Sequence, residues 1–270
     1  MHATKPRVAI FSLSSDFGCQ VQLSNFPEIL DTLSTFDLVY WQLVTSAELP
    51  DTYDVAVIEG AVTTDEQVVL LKTIRETASC VVALGACAAT GGVPALVRER
   101  GLLEEHAQTV YGPDADKVAK DRREPAPLSA YIEVDFVIPG CPIEPLEFSR
   151  VLQRALRRLV DNPQRQSLCG ECKISENTCF WLMGTPCLGL VARSGCEAMC
   201  VSSGRPCAAC RGLARDANLD AARDYAAAMG CDAVAFGELL AIYNAAQEYA
   251  REHAAESAAG TTGKREAVDV

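Results

Sequence analysis

Eight of the chain's 13 cysteines fall in one stretch: Cys169, Cys172, Cys179, Cys187, Cys196, Cys200, Cys207 and Cys210. The stretch opens on Cys169-Gly-Glu-Cys172 and closes on Cys207-Ala-Ala-Cys210. Thiols at this density are bonded either to one another or to metal. Two metals compete for them, because C-x-x-C pairs space the ligands of iron–sulfur clusters and of zinc ribbons alike. A second group is dispersed. Cys19 follows Ser14-Ser-Asp-Phe-Gly, Cys87 lies in Gly85-Ala-Cys87-Ala, and Cys141 lies in Pro139-Gly-Cys141-Pro142. A glycine beside each lets backbone approach a bulky ligand. The acids near them are Asp16 and Glu59. Three thiolates and a carboxylate suit an iron–sulfur cluster or zinc, and a flavin phosphate is the default occupant at fold level. Cys80 and Cys231 are read as packing residues. His2, His106 and His253 are scattered, and none is given a catalytic role.

The dispersed group must be brought together by the fold. Residues 7–13, 37–41, 55–59, 80–84 and 135–138 are short apolar runs of the kind that form strands covered on both faces. Helical patterns alternate with them. Residues 64–78 carry Val68, Leu71, Ile74 and Ala78 as one stripe, preceded by Thr63-Thr-Asp-Glu66 in capping-box form. Residues 143–160 follow Pro142 as a second helix. This alternation predicts an α/β, flavodoxin-like, doubly wound parallel sheet. Asp16, Cys19, Glu59, Cys87 and Cys141 each follow the carboxyl end of a strand. In an open parallel sheet those ends share one edge, so the five are expected to converge there. Residues 112–130 read as a surface insertion and 162–167 as a polar linker. Residues 220–229 and 233–249 read as helices packed across the cysteine-rich part.

Composition bounds the rest. An apolar content of 49% supplies a core without disulfide staples, and no apolar run reaches membrane-spanning length. The run Val8-Ala-Ile-Phe11 is too short for a signal-peptide core, and no twin-arginine pair precedes it. A cytoplasmic location is expected, where thiols stay reduced and a cysteine array means metal. A net charge of −12 argues against nucleic acid and against an anionic membrane surface.

The ordered set of motifs resembles the small, electron-transferring subunit of cytoplasmic [NiFe] hydrogenases, such as the delta subunit of sulfhydrogenases and the small subunit of F420-non-reducing enzymes. Its marks are Asp16-Phe-Gly-Cys19-Gln-Val-Gln-Leu23, Ile58-Glu-Gly-Ala61, Gly85-Ala-Cys87-Ala and Pro139-Gly-Cys141-Pro142. Pro186-Cys-Leu-Gly189, Arg193-Ser-Gly-Cys196 and Gly204-Arg-Pro-Cys-Ala-Ala-Cys210 complete it. The resemblance implies three [4Fe–4S] clusters. A proximal one takes Cys19, Cys87 and Cys141, with Asp16 standing where the family usually has a fourth cysteine. Glu59 is the rival fourth ligand, and otherwise a residue of the subunit interface or a proton route. A distal cluster takes Cys169, Cys172, Cys179 and Cys187, and a medial one Cys196, Cys200, Cys207 and Cys210. Trp181 and Phe180 are expected to shield a cluster, and Arg193 and Arg205 either to offset cluster charge or to be solvated.

The resemblance further implies that neither nickel nor flavin resides in this chain. Nickel belongs to a separate large subunit, on C-x-x-C pairs that neither end of this sequence carries. The implied partners are that large subunit and flavin or iron–sulfur subunits linked to NAD(P), to F420 or to a heterodisulfide reductase. The expected layout is a flavodoxin-like domain over 1–162, a loop-rich two-cluster domain with C-terminal helices over 163–256, and a disordered tail over 257–270. The other readings are an iron–sulfur subunit of a related quinone-reducing complex and a zinc-stabilised interaction module.

Overall fold

The computed structural model describes residues 5–99, 103–118, 121–161 and 166–247. The expected tail at 257–270, most of the linker, and His2 and His253 lie outside the described residues. Five strands form a parallel sheet in the order β2-β1-β3-β5-β7. They are β1 (Arg7–Ser12), β2 (Asp37–Trp41), β3 (Val55–Glu59), β5 (Cys80–Leu84) and β7 (Phe136–Ile138). All of β3 and β5 is buried, as their unbroken apolar runs require. The crossover helices cover both faces. Val8, Ile10, Val57 and Val82 face one apolar layer with Phe148 and Leu152. Ala9, Ile58, Val81 and Ala83 face the other with Leu71 and Ile74.

Helix α1 (Gly18–Ser24) follows β1, α2 (Asp65–Thr77) follows β3, α3 (Gly85–Thr90) follows β5 and α4 (Pro145–Leu156) follows β7. Two boundaries differ from those expected. The cap of α2 is Thr64, whose hydroxyl accepts from the Gln67 amide, while Gln67 Oε1 accepts from the Thr63 amide. The capping box therefore sits one residue later than Thr63…Glu66. Helix α4 starts at Pro145, not at 143, because Glu144 accepts from the amides of Leu146 and Glu147 and ends the loop there. Pro142 belongs to the turn after Cys141.

The stretch 112–130 is not wholly a surface insertion. Residues Arg122–Ala126 form β6, antiparallel to β4 (Val62–Thr64), and Ala126 and Leu128 are fully buried. Beyond residue 166 the chain is short helices and turns around a third apolar cluster, which includes Leu168, Trp181, Leu188, Val191 and Phe236. It contains α5 (Cys169–Ile174), α6 (Met199–Ser202), α7 (Leu219–Ala228) and α8 (Ala233–Asn244). Cys80 and Cys231 are buried, as expected of packing residues.

Candidate functional site

The strand ends converge as the topology requires. Asp16, Cys19, Glu59, Cys87 and Cys141 line one cavity of about 620 Å3 at the carboxyl edge of the sheet. Cys19 stands in the first turn of α1, and Cys87 in α3. Two glycines hold the walls open. Gly85 has a φ of +83°, and a Cβ there would lie 2.5 Å from Cys19 Sγ. A Cβ on Gly92 would lie 3.0 Å from Cys87 Sγ.

Glu59 is 2% exposed and fully engaged. Its Oε1 accepts from the Cys19 amide at 3.0 Å and its Oε2 from Gln20 Nε2 at 2.6 Å. Gln20 is held in turn, accepting from Trp41 Nε1 at 2.6 Å. Asp16 is exposed, and one of its oxygens accepts from the Gly18 amide at 2.9 Å. Burial, and after it the Glu59 charge, drives the Cys19 thiol far above its ordinary acidity range. Burial with Cys141, Asp16 and Glu59 pushes Cys87 up to about 11. The charges acting most strongly on these thiols are negative.

The eight-cysteine stretch gathers into two groups of four. Burial and then the charges of Cys187, Cys172 and Cys179 push Cys169 up to about 11. A Cβ on Gly189 would lie 3.6 Å from Cys187 Sγ and 3.7 Å from Cys169 Sγ, so both sulfurs border that glycine. In the other group Cys210 is pushed up to about 11 by burial, with Cys200 and Cys196 adding to it. Cys207 is raised by burial most, and by Cys187, Cys210 and Cys196 after it.

The groups meet in series. The Cys207 amide donates to Cys187 Sγ at 3.3 Å, and the Leu188 amide donates to the Cys207 carbonyl at 2.9 Å. On the other side Cys141 neighbours Cys210, its backbone favouring the ionised sulfur against the burial that raises it. Trp181 is buried, donates to the Cys187 carbonyl at 2.8 Å and meets Tyr225 edge-on. Phe180 is half-buried beside it. Arg193 is half-buried and Arg205 exposed.

Sequence reasoning missed three residues of this region. Gln20 and Trp41 hold Glu59, and only the glutamine lies in one of the motifs above. Arg211, directly after Cys210, is buried and pairs with Glu147 at 2.7 Å. Nothing in its local sequence separates it from a solvated arginine.

Residues 17–155, half of the chain, match the family described as NADH ubiquinone oxidoreductase, 20 Kd subunit. The chain belongs to this family. Within it the similarity runs to hydrogenase small subunits and extends past residue 155 into the cysteine-rich half. Sulfhydrogenase 2 subunit delta of Pyrococcus furiosus is 32% identical over 79% of this chain and 89% of its own length. A subunit of the F420-non-reducing hydrogenase vhu of Methanococcus voltae is 29% identical over 90% of this chain and 95% of its own. The fold agrees with an H2-activated [NiFeSe]-hydrogenase structure from Dm. baculatum, at a TM-score of 0.51, 19% identity, and coverage of 77% of this chain and 95% of that one. The chain is thus an iron–sulfur, hydrogenase-type oxidoreductase subunit of this family. None of its described helices is long and apolar enough to cross a membrane.

Proposed function

We propose that this chain is the electron-relay subunit of a cytoplasmic [NiFe] hydrogenase and holds three [4Fe–4S] clusters. Asp16, Cys19, Cys87 and Cys141 hold the proximal cluster in the half spanning 1–162. Cys196, Cys200, Cys207 and Cys210 hold the medial one, and Cys169, Cys172, Cys179 and Cys187 the distal one, both in the half spanning 163–256. The observation that carries this reading is the series arrangement of the three thiol sets. Cys141 of the first approaches Cys210 of the second, and Cys207 of the second donates to Cys187 of the third. That order suits electron hopping and serves no purpose in a zinc-stabilised module.

The donors fit the group. Buried sulfurs whose ionised forms disfavour one another, with glycines where a Cβ would strike sulfur, suit a cationic core larger than one ion. When bound, the clusters supply one-electron storage at potentials set by their surroundings. The chain's part is to hold, space and insulate them. Asp16 is favoured over Glu59 as the fourth proximal ligand, because both Glu59 oxygens are already engaged while Asp16 has one oxygen to offer. Glu59 instead stays at the crevice, where the large subunit with its nickel docks and where a proton route is expected to run. Electrons leave the distal cluster for a flavin-bearing partner serving NAD(P), F420 or a heterodisulfide reductase.

The test is metal analysis and EPR on anaerobically purified protein. About twelve irons with sulfide are expected, and a few zincs in their place would remove the reading. In Asp16→Ser the proximal signal should convert to that of a three-iron cluster, whereas Glu59→Gln should keep four irons. The reverse outcome assigns the ligand to Glu59.

A further inference from the structure

Asp16 and Glu59 both line the crevice at the sheet edge, yet they are held very differently. Asp16 is exposed, and one of its oxygens accepts from the Gly18 amide. Glu59 is buried at the end of β3 with both oxygens turned toward α1, one on the Cys19 amide at 3.0 Å and one on Gln20 Nε2 at 2.6 Å. Gln20 is itself fully buried and spends its whole side-chain amide. Its Nε2 donates to Ser12 Oγ at 2.6 Å as well as to Glu59, and its Oε1 accepts from Trp41 Nε1 at 2.6 Å. The indole settles which way the amide faces. A Trp N–H can only donate, so the Gln20 oxygen must face Trp41 and both amide hydrogens are left for the other two partners. Ser12 and Glu59 are register partners in β1 and β3, and Trp41 closes β2. One side chain from α1 is thus bonded to the ends of three strands.

We propose that Gln20 decides which carboxylate completes the proximal thiol set: by holding Glu59 Oε2 it leaves the fourth place to Asp16. The inference rests on the assignment of Asp16, Cys19, Cys87 and Cys141 to one cluster proposed above, and it adds what enforces that choice. Either acid has an oxygen suited to iron, so chemistry alone does not separate them. The hydrogen bonds do. To turn toward a metal, Glu59 must give up a charge-assisted bond in a buried site and leave a Gln20 hydrogen without a partner. Gln20 cannot follow it, because Ser12 and Trp41 hold the other corners of the amide. Asp16 has an oxygen to give without breaking any bond. Gln20 is therefore a positioning residue that acts through Glu59, as the outer partners of a metal site commonly do.

The experiment compares anaerobically purified variants by EPR and iron content, with the medial and distal signals reporting that each variant is folded. Asp16→Ser alone is expected to show a three-iron proximal signal, because Gln20 still holds Glu59. Adding Gln20→Met keeps the length of the side chain and removes its donors. That pair should regain a four-iron signal and about one iron per chain, now through Glu59. Adding Glu59→Gln to the pair should abolish the gain. Gln20→Met strands the Trp41 N–H, so where the pair fails to fold, Trp41→Phe is added to remove both members of that bond, and the same gain is expected. A folded protein that stays at three irons without Gln20 overturns the proposal. So does a four-iron signal in Asp16→Ser alone, or one that survives Glu59→Gln. A wild-type protein without any cluster signal overturns the relay reading itself, which keeps the two failures apart.

Discussion

Arg211 is 4% exposed and spends its whole guanidinium on the junction between the two halves. Two nitrogens grip the Glu147 carboxylate at 2.7 and 2.8 Å, and the remaining bonds go to the carbonyls of Pro139 and Ser194. Pro139 leads into Gly140-Cys141, and Ser194 precedes Gly195-Cys196, so one side chain ties the backbone beside Cys141 to that beside Cys196. Lysine keeps the charge but lacks the planar fork, so Arg211→Lys should fail here. Removing either partner leaves a buried charge unpaired, at a cost of about 3–5 kcal/mol. Arg211→Met or Glu147→Gln should lower the thermal midpoint by on the order of 10 °C. The double replacement Arg211→Met with Glu147→Met should be milder than either single one, since no lone charge remains. Anaerobic thermal melts decide the matter, and an Arg211→Lys protein as stable as wild type would count against the junction role.

At the scale of elements, α3 shows how closely a strand–helix turn packs against a neighbouring sulfur. Gly85 opens the helix at a φ of +83°, where an L side chain is strained, and any Cβ would sit on the Cys19 sulfur. Gly85→Ala should therefore cost the proximal cluster alone. Iron content should fall by about a third, and EPR should retain the signals of the other two clusters. Full iron in the variant would show that the crevice tolerates the methyl and that the glycine serves another end. The same element explains what the sequence made legible. Strands β3 and β5 were readable to the residue because parallel strands buried on both faces have unbroken apolar runs, and the half-buried edge strand β2 because Leu38-Val-Tyr-Trp41 is apolar too; with the strands came the convergence of Asp16, Cys19, Glu59, Cys87 and Cys141. Strand β6 was hidden because Arg122-Arg-Glu-Pro-Ala126 buries only its last two residues and carries charge on the rest. Arg211 was hidden for another reason. Its significance lies in contacts made across long sequence separations, and neither periodicity nor spacing encodes such contacts.

At the scale of the whole molecule, the two halves are interlocked rather than merely tethered. Helix α8 comes from the far end of the described chain, yet it takes a hydrogen bond from Thr90 in the first half and gives one to Ala209 in the second. Arg211 repeats the pattern in the opposite sense, reaching from the second half into α4 and the β7 turn. Cys141 lies in that turn, so the geometry of the crevice at the sheet edge depends on both halves being in place. A flavodoxin-like half that melted independently would release Cys141 from its approach to Cys210 and break the series of thiol sets. Unfolding should therefore be one cooperative event. Anaerobic denaturant titrations followed by far-ultraviolet circular dichroism and by visible cluster absorption should give superimposable curves. Arg211→Met should split them, because it severs the strongest tie while leaving each half its own apolar core. Two transitions already separate in the wild type would mean that the halves fold alone, and that the spacing between clusters is set by the partner subunit rather than by this chain.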